Sequence, residues 1–156
     1  GGITPDVTIE GHDYSRLTYS LVYSGIIQEY ALDFVRSHDS AEEDFHLADK
    51  DWDGFVAFAK TKEFDYRSSA KTYFDRMKKE LEKDGLSKNM SAELDALQKA
   101  LEMDKETFLK LKKDEIVPFI EEEIAVRYHF QEAGIKIRLR YDDQLKKALA
   151  SPMIEI

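Results

Sequence analysis

The sequence predicts an all-α fold, a helical bundle-like domain of six or seven helices with an extended N-terminal arm. Three observations predict it. Apolar residues recur with helical period almost continuously after residue 12. Glycine and proline are scarce, at seven and three in 156 residues. Ser, Asp and Gly stand where helices would begin and end.

The opening Gly1-Gly2-Ile3-Thr4-Pro5-Asp6-Val7 combines a tight glycine pair, an extended run and a Pro-Asp turn signal, then a strand-like Val7-Thr8-Ile9-Glu10. It divides the chain into an arm over 1–12 and a helical domain over 13–156. The first long helix is expected from about Ser15 to Ser37, with Leu17, Leu21, Ile27, Tyr30, Ala31, Phe34 and Val35 on its apolar face. Gly25 falls inside it, at a cost of about 1 kcal/mol against alanine, which close approach of another backbone would explain.

Ser40-Ala41-Glu42-Glu43 has capping-box spacing and predicts a short helical turn. Asp49 or Asp51 then caps a helix carrying Trp52, Phe55, Val56, Phe58 and Ala59, the densest apolar segment of the chain. Ser68 or Ser69 caps the next, whose stripe is Ala70, Tyr73, Phe74, Met77 and Leu81, with Gly85 closing it. Ser91 opens a helix with Leu94, Leu97 and Leu101 inward, and Asp104 opens one with Phe108, Leu109 and Leu111.

Pro118 is harmless only in a first turn, so the following helix is placed from about Asp114 to Gln131, with Ile116, Val117, Ile120, Ile124 and Tyr128 as its stripe and Gly134 as its end. Ile135-Lys136-Ile137-Arg138-Leu139 alternates with period two and reads as a short strand. Asp142 caps a last helix through Leu145, Ala148 and Leu149, stopped before Pro152.

Net charge is −9, and bases alternate with acids along the helices, so phosphate backbones are repelled and nucleic acid is an unfavourable partner. There is no cysteine, which removes disulfides, thiol catalysis and thiolate metal sites. No apolar run approaches the roughly 18 residues needed to span a bilayer.

Little in the chain points to chemistry. The glycines are scattered and form no phosphate loop, and His12, His38, His46 and His129 lack an i,i+4 partner histidine. Glu121-Glu122-Glu123 point in three directions on a helix and read as a solvated acidic face. Asp49, Asp51 and Asp53 have the spacing of the front of a calcium loop, but Lys60 stands where its twelfth position needs glutamate. The better reading is a helix N-terminus whose carboxylates suit the dipole. No cofactor is implied. Trp52 and Phe55 are read as core in preference to a ligand pocket. Glu123 and Arg127 form an i,i+4 pair, and Arg127 has an alternative role of fastening the segment 135–142 through Asp142 or Asp143.

The opening Gly-Gly-Ile-x-Pro-Asp run resembles the segment that closes the catalytic domain of carboxy-terminal processing (tail-specific) serine peptidases. The rest of the chain is similar to the helical C-terminal region of the longer Bacteroidetes-like members, through Leu21 to Phe34 with Tyr30-Ala31, Phe55-x-x-Phe58, Glu123-Ile124-Ala125-Val126-Arg127-Tyr128 and Asp143-x-x-x-x-Ala148. The resemblance implies an upstream serine nucleophile, a lysine general base and a PDZ domain, with no residue of this chain matching them. It implies a non-catalytic C-terminal accessory domain in the periplasm or cell envelope, partnered by the upstream protease core of the same polypeptide and by protein substrate. Trp52, Phe55, Glu123, Arg127 and Tyr128 are then structural residues. A stand-alone helical protein-interaction module is the alternative.

Overall fold

A computed structural model of the chain describes residues 13–150, with side chains described for 13–142. The arm over 1–12 and the stop before Pro152 lie outside the described residues. Seven α-helices and a 3-10 turn make up the described part, with no strand among those residues.

Helix α1 (Arg16–Tyr23) starts at Ser15, whose Oγ accepts from the Thr18 N–H at 3.3 Å. Ser15 N–H in turn donates to Glu115 Oε1 at 2.9 Å, and Thr18 Oγ1 donates to the same oxygen at 3.1 Å, so a distant carboxylate finishes the cap. Partial burial works to raise the Glu115 pKa, but the Ser15 N–H and Lys112 outweigh it and hold the carboxyl below its ordinary value.

The expected helix over Ser15–Ser37 is in fact two. Gly25 adopts φ 81°, and α2 (Ile26–Ser37) starts immediately after it. Nothing lies within 4 Å of a Cβ built on Gly25, so its role is the left-handed turn and not close backbone approach. No helix forms at Ser40–Glu43; residues 38–48 run as an irregular connection.

Helix α3 (Asp49–Lys60) is entered from Ala48 without a side-chain cap, and Asp49 and Asp51 lie in its first turn. Helix α4 (Ser69–Lys83) is capped by Ser68 Oγ, which accepts from Ala70 N–H at 3.1 Å, and ends at Gly85 with φ 75°. A 3-10 turn (Ser87–Met90) leads into α5 (Ser91–Leu101), and Asp104 caps α6 (Lys105–Leu111). Helices α4 and α5 pack mainly on each other, burying Phe74 and Leu94 but leaving Tyr73, Met77 and Leu97 exposed. The inward positions expected for Ala70, Tyr73, Met77, Leu97 and Leu111 are exposed instead. Helical period marks a face, but only a neighbouring element makes that face a core.

Helix α7 (Lys113–Ala150) lies chiefly along α2. Pro118 is its sixth residue, past the first turn, and offers no N–H to the carbonyl of Asp114. The core joins Leu17, Leu21, Ile27 and Phe34 to Trp52, Phe55, Leu109, Ile116, Ile120 and Ile124.

The strand expected at 135–139 is helical, and Gly134 ends nothing. The break falls at Phe130, with φ 67° and ψ −171°. Residues 122 and 138 would be about 24 Å apart along a straight helix, yet Arg138 hydrogen-bonds Glu122. A Cβ on Gly134 would collide with Val126 Cγ2. Helix α7 is thus an antiparallel hairpin whose limbs, 113–129 and 131–150, reverse at one residue. Glycine at 134 lets them touch. Ala133, Ile137 and Tyr141 recur every fourth residue, and this helical stripe against Ala125 and Phe45 outweighs the period-two pattern. Asp142 lies inside the second limb and caps nothing, while the side chains of Leu145, Ala148 and Leu149 lie outside those described.

Candidate functional site

The densest polar construction in the domain joins the α7 hairpin to the connection 38–48. Its centre is Glu121, 2% exposed. Glu121 Oε2 accepts from Leu47 N–H at 2.7 Å, and Oε1 accepts from Arg140 Nη2 at 2.9 Å and from the Tyr141 hydroxyl. Arg140 also reaches Asp44, the Phe45 carbonyl at 3.0 Å and His46 Nε2 at 3.2 Å. Glu122, 8% exposed, holds Arg138, and Lys136 pairs with Glu43 at 3.6 Å. Helix α7 thereby clasps a segment that has no secondary structure of its own to satisfy its backbone.

The electrostatics follow from that burial. Desolvation pushes the Tyr141 phenol up to about 12, with the Glu121 carboxylate beside it adding to the effect. Desolvation would lower Arg140, but hydrogen bonds to Tyr141 and Asp44 and the charge of Glu121 raise it. Asp44 lies below its ordinary value because Arg140 donates to it. Every shifted group here has a structural partner. The arrangement clamps charge in place and presents no nucleophile beside a base.

The residues singled out from sequence are distributed around this clasp. Trp52 is 4% exposed with its ring 5.7 Å from that of Phe55, and the Lys113 ammonium stands 5.9 Å over the indole. Phe55 is fully buried and meets the Tyr30 ring edge-on at 5.3 Å. The Tyr30 hydroxyl donates to the Asp51 carbonyl at 2.7 Å, and burial, with Asp51 adding, pushes its pKa up to about 12. The Tyr128 hydroxyl donates to the His38 carbonyl, and His129 Nε2 meets the Ala41 carbonyl, so both pin the start of the connection.

Among the described side chains Arg127 makes no ion pair with Asp142, and the side chain of Asp143 lies outside those described. Arg127 Nη2 donates to the Gln28 carbonyl at 3.4 Å and reaches Glu123 at 4.0 Å, tying α7 to α2. The fastening belongs to Arg138, Arg140 and Tyr141. The solvated acidic face expected for Glu121-Glu122-Glu123 is corrected as well: the first two are buried because the second limb returns two arginines to them. One signal pointed there, Arg138-x-Arg140-Tyr141 further along the chain from the acidic run. Asp49, Asp51 and Asp53 lie on α3 and not in a loop. No group of three or more potential metal ligands exists among the described residues. No helix among them is long and apolar enough to cross a membrane.

A second feature is a groove where α4, α5 and α6 meet. Tyr66, Arg67, Leu101, Met103 and Phe108 line about 470 Å³ of it. Acids and bases mix around its rim, and Arg67 is already held by Asp65 at 2.9 Å.

The family model for "Probable PDZ-protease, C-terminal helical domain" matches residues 17–151. The chain belongs to this family. The match runs from the first buried residue of α1 to just beyond the second limb of α7, so it covers the core and the clasp together. No curated protein and no solved structure matches the chain.

Proposed function

We propose that this domain is a non-catalytic accessory module that packs against the protease core of its own polypeptide and shapes how protein substrate reaches it. The observation that carries the reading is the family match over residues 17–151. The site supports it: the buried carboxylates Glu121 and Glu122 are consumed in holding the α7 hairpin together and to the connection 38–48, and neither is set up for acyl transfer. The α4–α5 hairpin supplies a face for the core. Its bases slightly outnumber its acids within a chain of net charge −9, and Tyr73, Met77 and Leu97 are open on it. By resemblance, the core is a Ser–Lys peptidase of the carboxy-terminal processing type, acting in the periplasm or cell envelope.

The test has two arms. The isolated chain should not cleave casein. In the full-length protease, Tyr73→Asp with Met77→Asp should change kcat/KM on protein substrate while a short peptide is cleaved as before. Casein turnover by the pure chain, stopped by a serine-directed inhibitor, overturns the non-catalytic reading. Unchanged kcat/KM on both substrates removes the α4–α5 face from it.

A further inference from the structure

The α7 hairpin turns on a residue that costs the domain stability. Phe130 combines φ 67° with ψ −171°, a region populated essentially by glycine. Glycine would make the same reversal without strain. Nor does the ring repay that strain by packing: it is 80% exposed, more than any other large apolar side chain described. A side chain that is strained at its backbone and open at its ring points to a contact outside the domain.

The surroundings give that contact its chemistry. The Tyr128 hydroxyl donates to the His38 carbonyl and His129 Nε2 meets the Ala41 carbonyl, which brings the start of the connection 38–48 beside the tip. Asp39, Glu42 and Glu132 are exposed there. An apolar ring inside an acidic collar suits an apolar pocket with lysine or arginine at its rim. Ile135 and Leu139, each 49% exposed, extend the apolar surface along the second limb, on the side opposite Ala133 and Ile137. The tip also stands apart from the start of the described chain. The Tyr14 ring lies 5.3 Å from that of Phe119, and Phe130 is a further ~16 Å along the first limb at about 1.5 Å per residue. One phenylalanine covers about 150–250 Å², well short of the roughly 1,200 Å² that a stable complex of free proteins buries. It suffices for a partner in the same polypeptide, whose effective concentration is on the order of millimolar.

We propose that Phe130 anchors this domain to the protease core of its own polypeptide, its ring filling an apolar pocket of the core rimmed by lysine or arginine. The inference rests on the accessory reading and adds to it a contact separate from the α4–α5 face. A covalent joint alone leaves a domain free to swing. A second contact at the far end of α7 fixes its orientation on the core.

Hydrogen exchange read by mass spectrometry, on the full-length protease and on the isolated chain, tests it. Peptides covering 38–44 should exchange about tenfold more slowly in the full-length protein, because the docked tip covers the collar. Phe130→Gly keeps the reversal and removes the ring. It should raise the urea midpoint of the isolated chain and cancel the slowing in the full-length protein. Glu132→Lys leaves the hinge alone and should reduce the slowing by repelling a basic rim. Equal exchange at 38–44 in the two wild-type proteins overturns the inference, as does slowing that survives Phe130→Gly. A lower urea midpoint for Phe130→Gly assigns the ring to the domain's own fold, and stronger slowing with Glu132→Lys puts an acidic surface opposite the tip; either result overturns it. Slowing that appears in the isolated chain as its concentration rises gives the tip to a second copy and overturns it too. Casein cleavage by the isolated chain would end the accessory reading and leave the exchange comparison as it stands.

Discussion

Gly134 and Val126 meet where the two limbs of α7 cross, and a Cβ at 134 would run into Val126 Cγ2. Valine in a helix has one strongly preferred χ1, so it cannot turn aside cheaply. Gly134→Ala should therefore destabilise the domain by about 1–3 kcal/mol by overpacking, although alanine is the better helix former. Urea denaturation measures the loss, and Val126→Ala in the same chain should recover most of it. A stabilised single variant would show that the limbs do not touch there.

Trp52 is buried against Phe55 beneath α7. Trp52→Ala should cost about 3–5 kcal/mol, from lost transfer energy and an incompletely collapsed cavity. Chemical denaturation followed by circular dichroism is the suitable measurement, since the variant has no tryptophan. A midpoint equal to that of the parent would place the indole in solvent.

Arg140 ties Glu121 to the connection 38–48. Arg140→Ala strands a carboxylate that is 2% exposed, at a cost of about 3–5 kcal/mol. The loss should be local first: amide exchange at Phe45 and Leu47 should quicken before that of α2. Arg140→Ala with Glu121→Gln should be less damaged than Arg140→Ala alone, because the stranded charge is gone.

Tyr30 gives the alkaline side of the stability curve. Its folded pKa of about 12 lies above the ordinary tyrosine value of about 10. The protonated phenol is the form the fold prefers, so its contribution is complete below pH ~10 and is lost as pH rises toward ~12. Tyr30→Phe should lower stability at pH 7 by about 1 kcal/mol through the lost bond to the Asp51 carbonyl. It should also flatten the decline between those two pH values, read from urea midpoints. A parallel decline in both proteins would assign the alkaline loss elsewhere.

The all-α class, the caps at Ser68 and Asp104, the stop at Gly85 and the burial of Trp52 and Phe55 were all legible in local spacing. Gly25 was visible as an anomaly but not as a break, because a left-handed residue and a close helix contact leave the same letter in a sequence. The hairpin was hidden for a different reason. Its reversal falls on phenylalanine, whereas the glycine nearby serves packing between the limbs. Once that turn was missed, Arg138 and Arg140 had no route to Glu122 and Glu121, and three consecutive glutamates read as a wet face. Non-local burial of charge leaves almost no periodic signature.

The clasp also sets an order of events during synthesis. Ser15 waits for Glu115, Leu47 for Glu121 and Asp44 for Arg140, each of them 74 to 100 residues later. Helices α1 to α3 therefore emerge from the ribosome long before the partners that complete their caps and connections. Until α7 has been made and folded back, the first third of the domain holds an unfinished core, which makes the nascent chain vulnerable to proteases and reliant on chaperones over that interval.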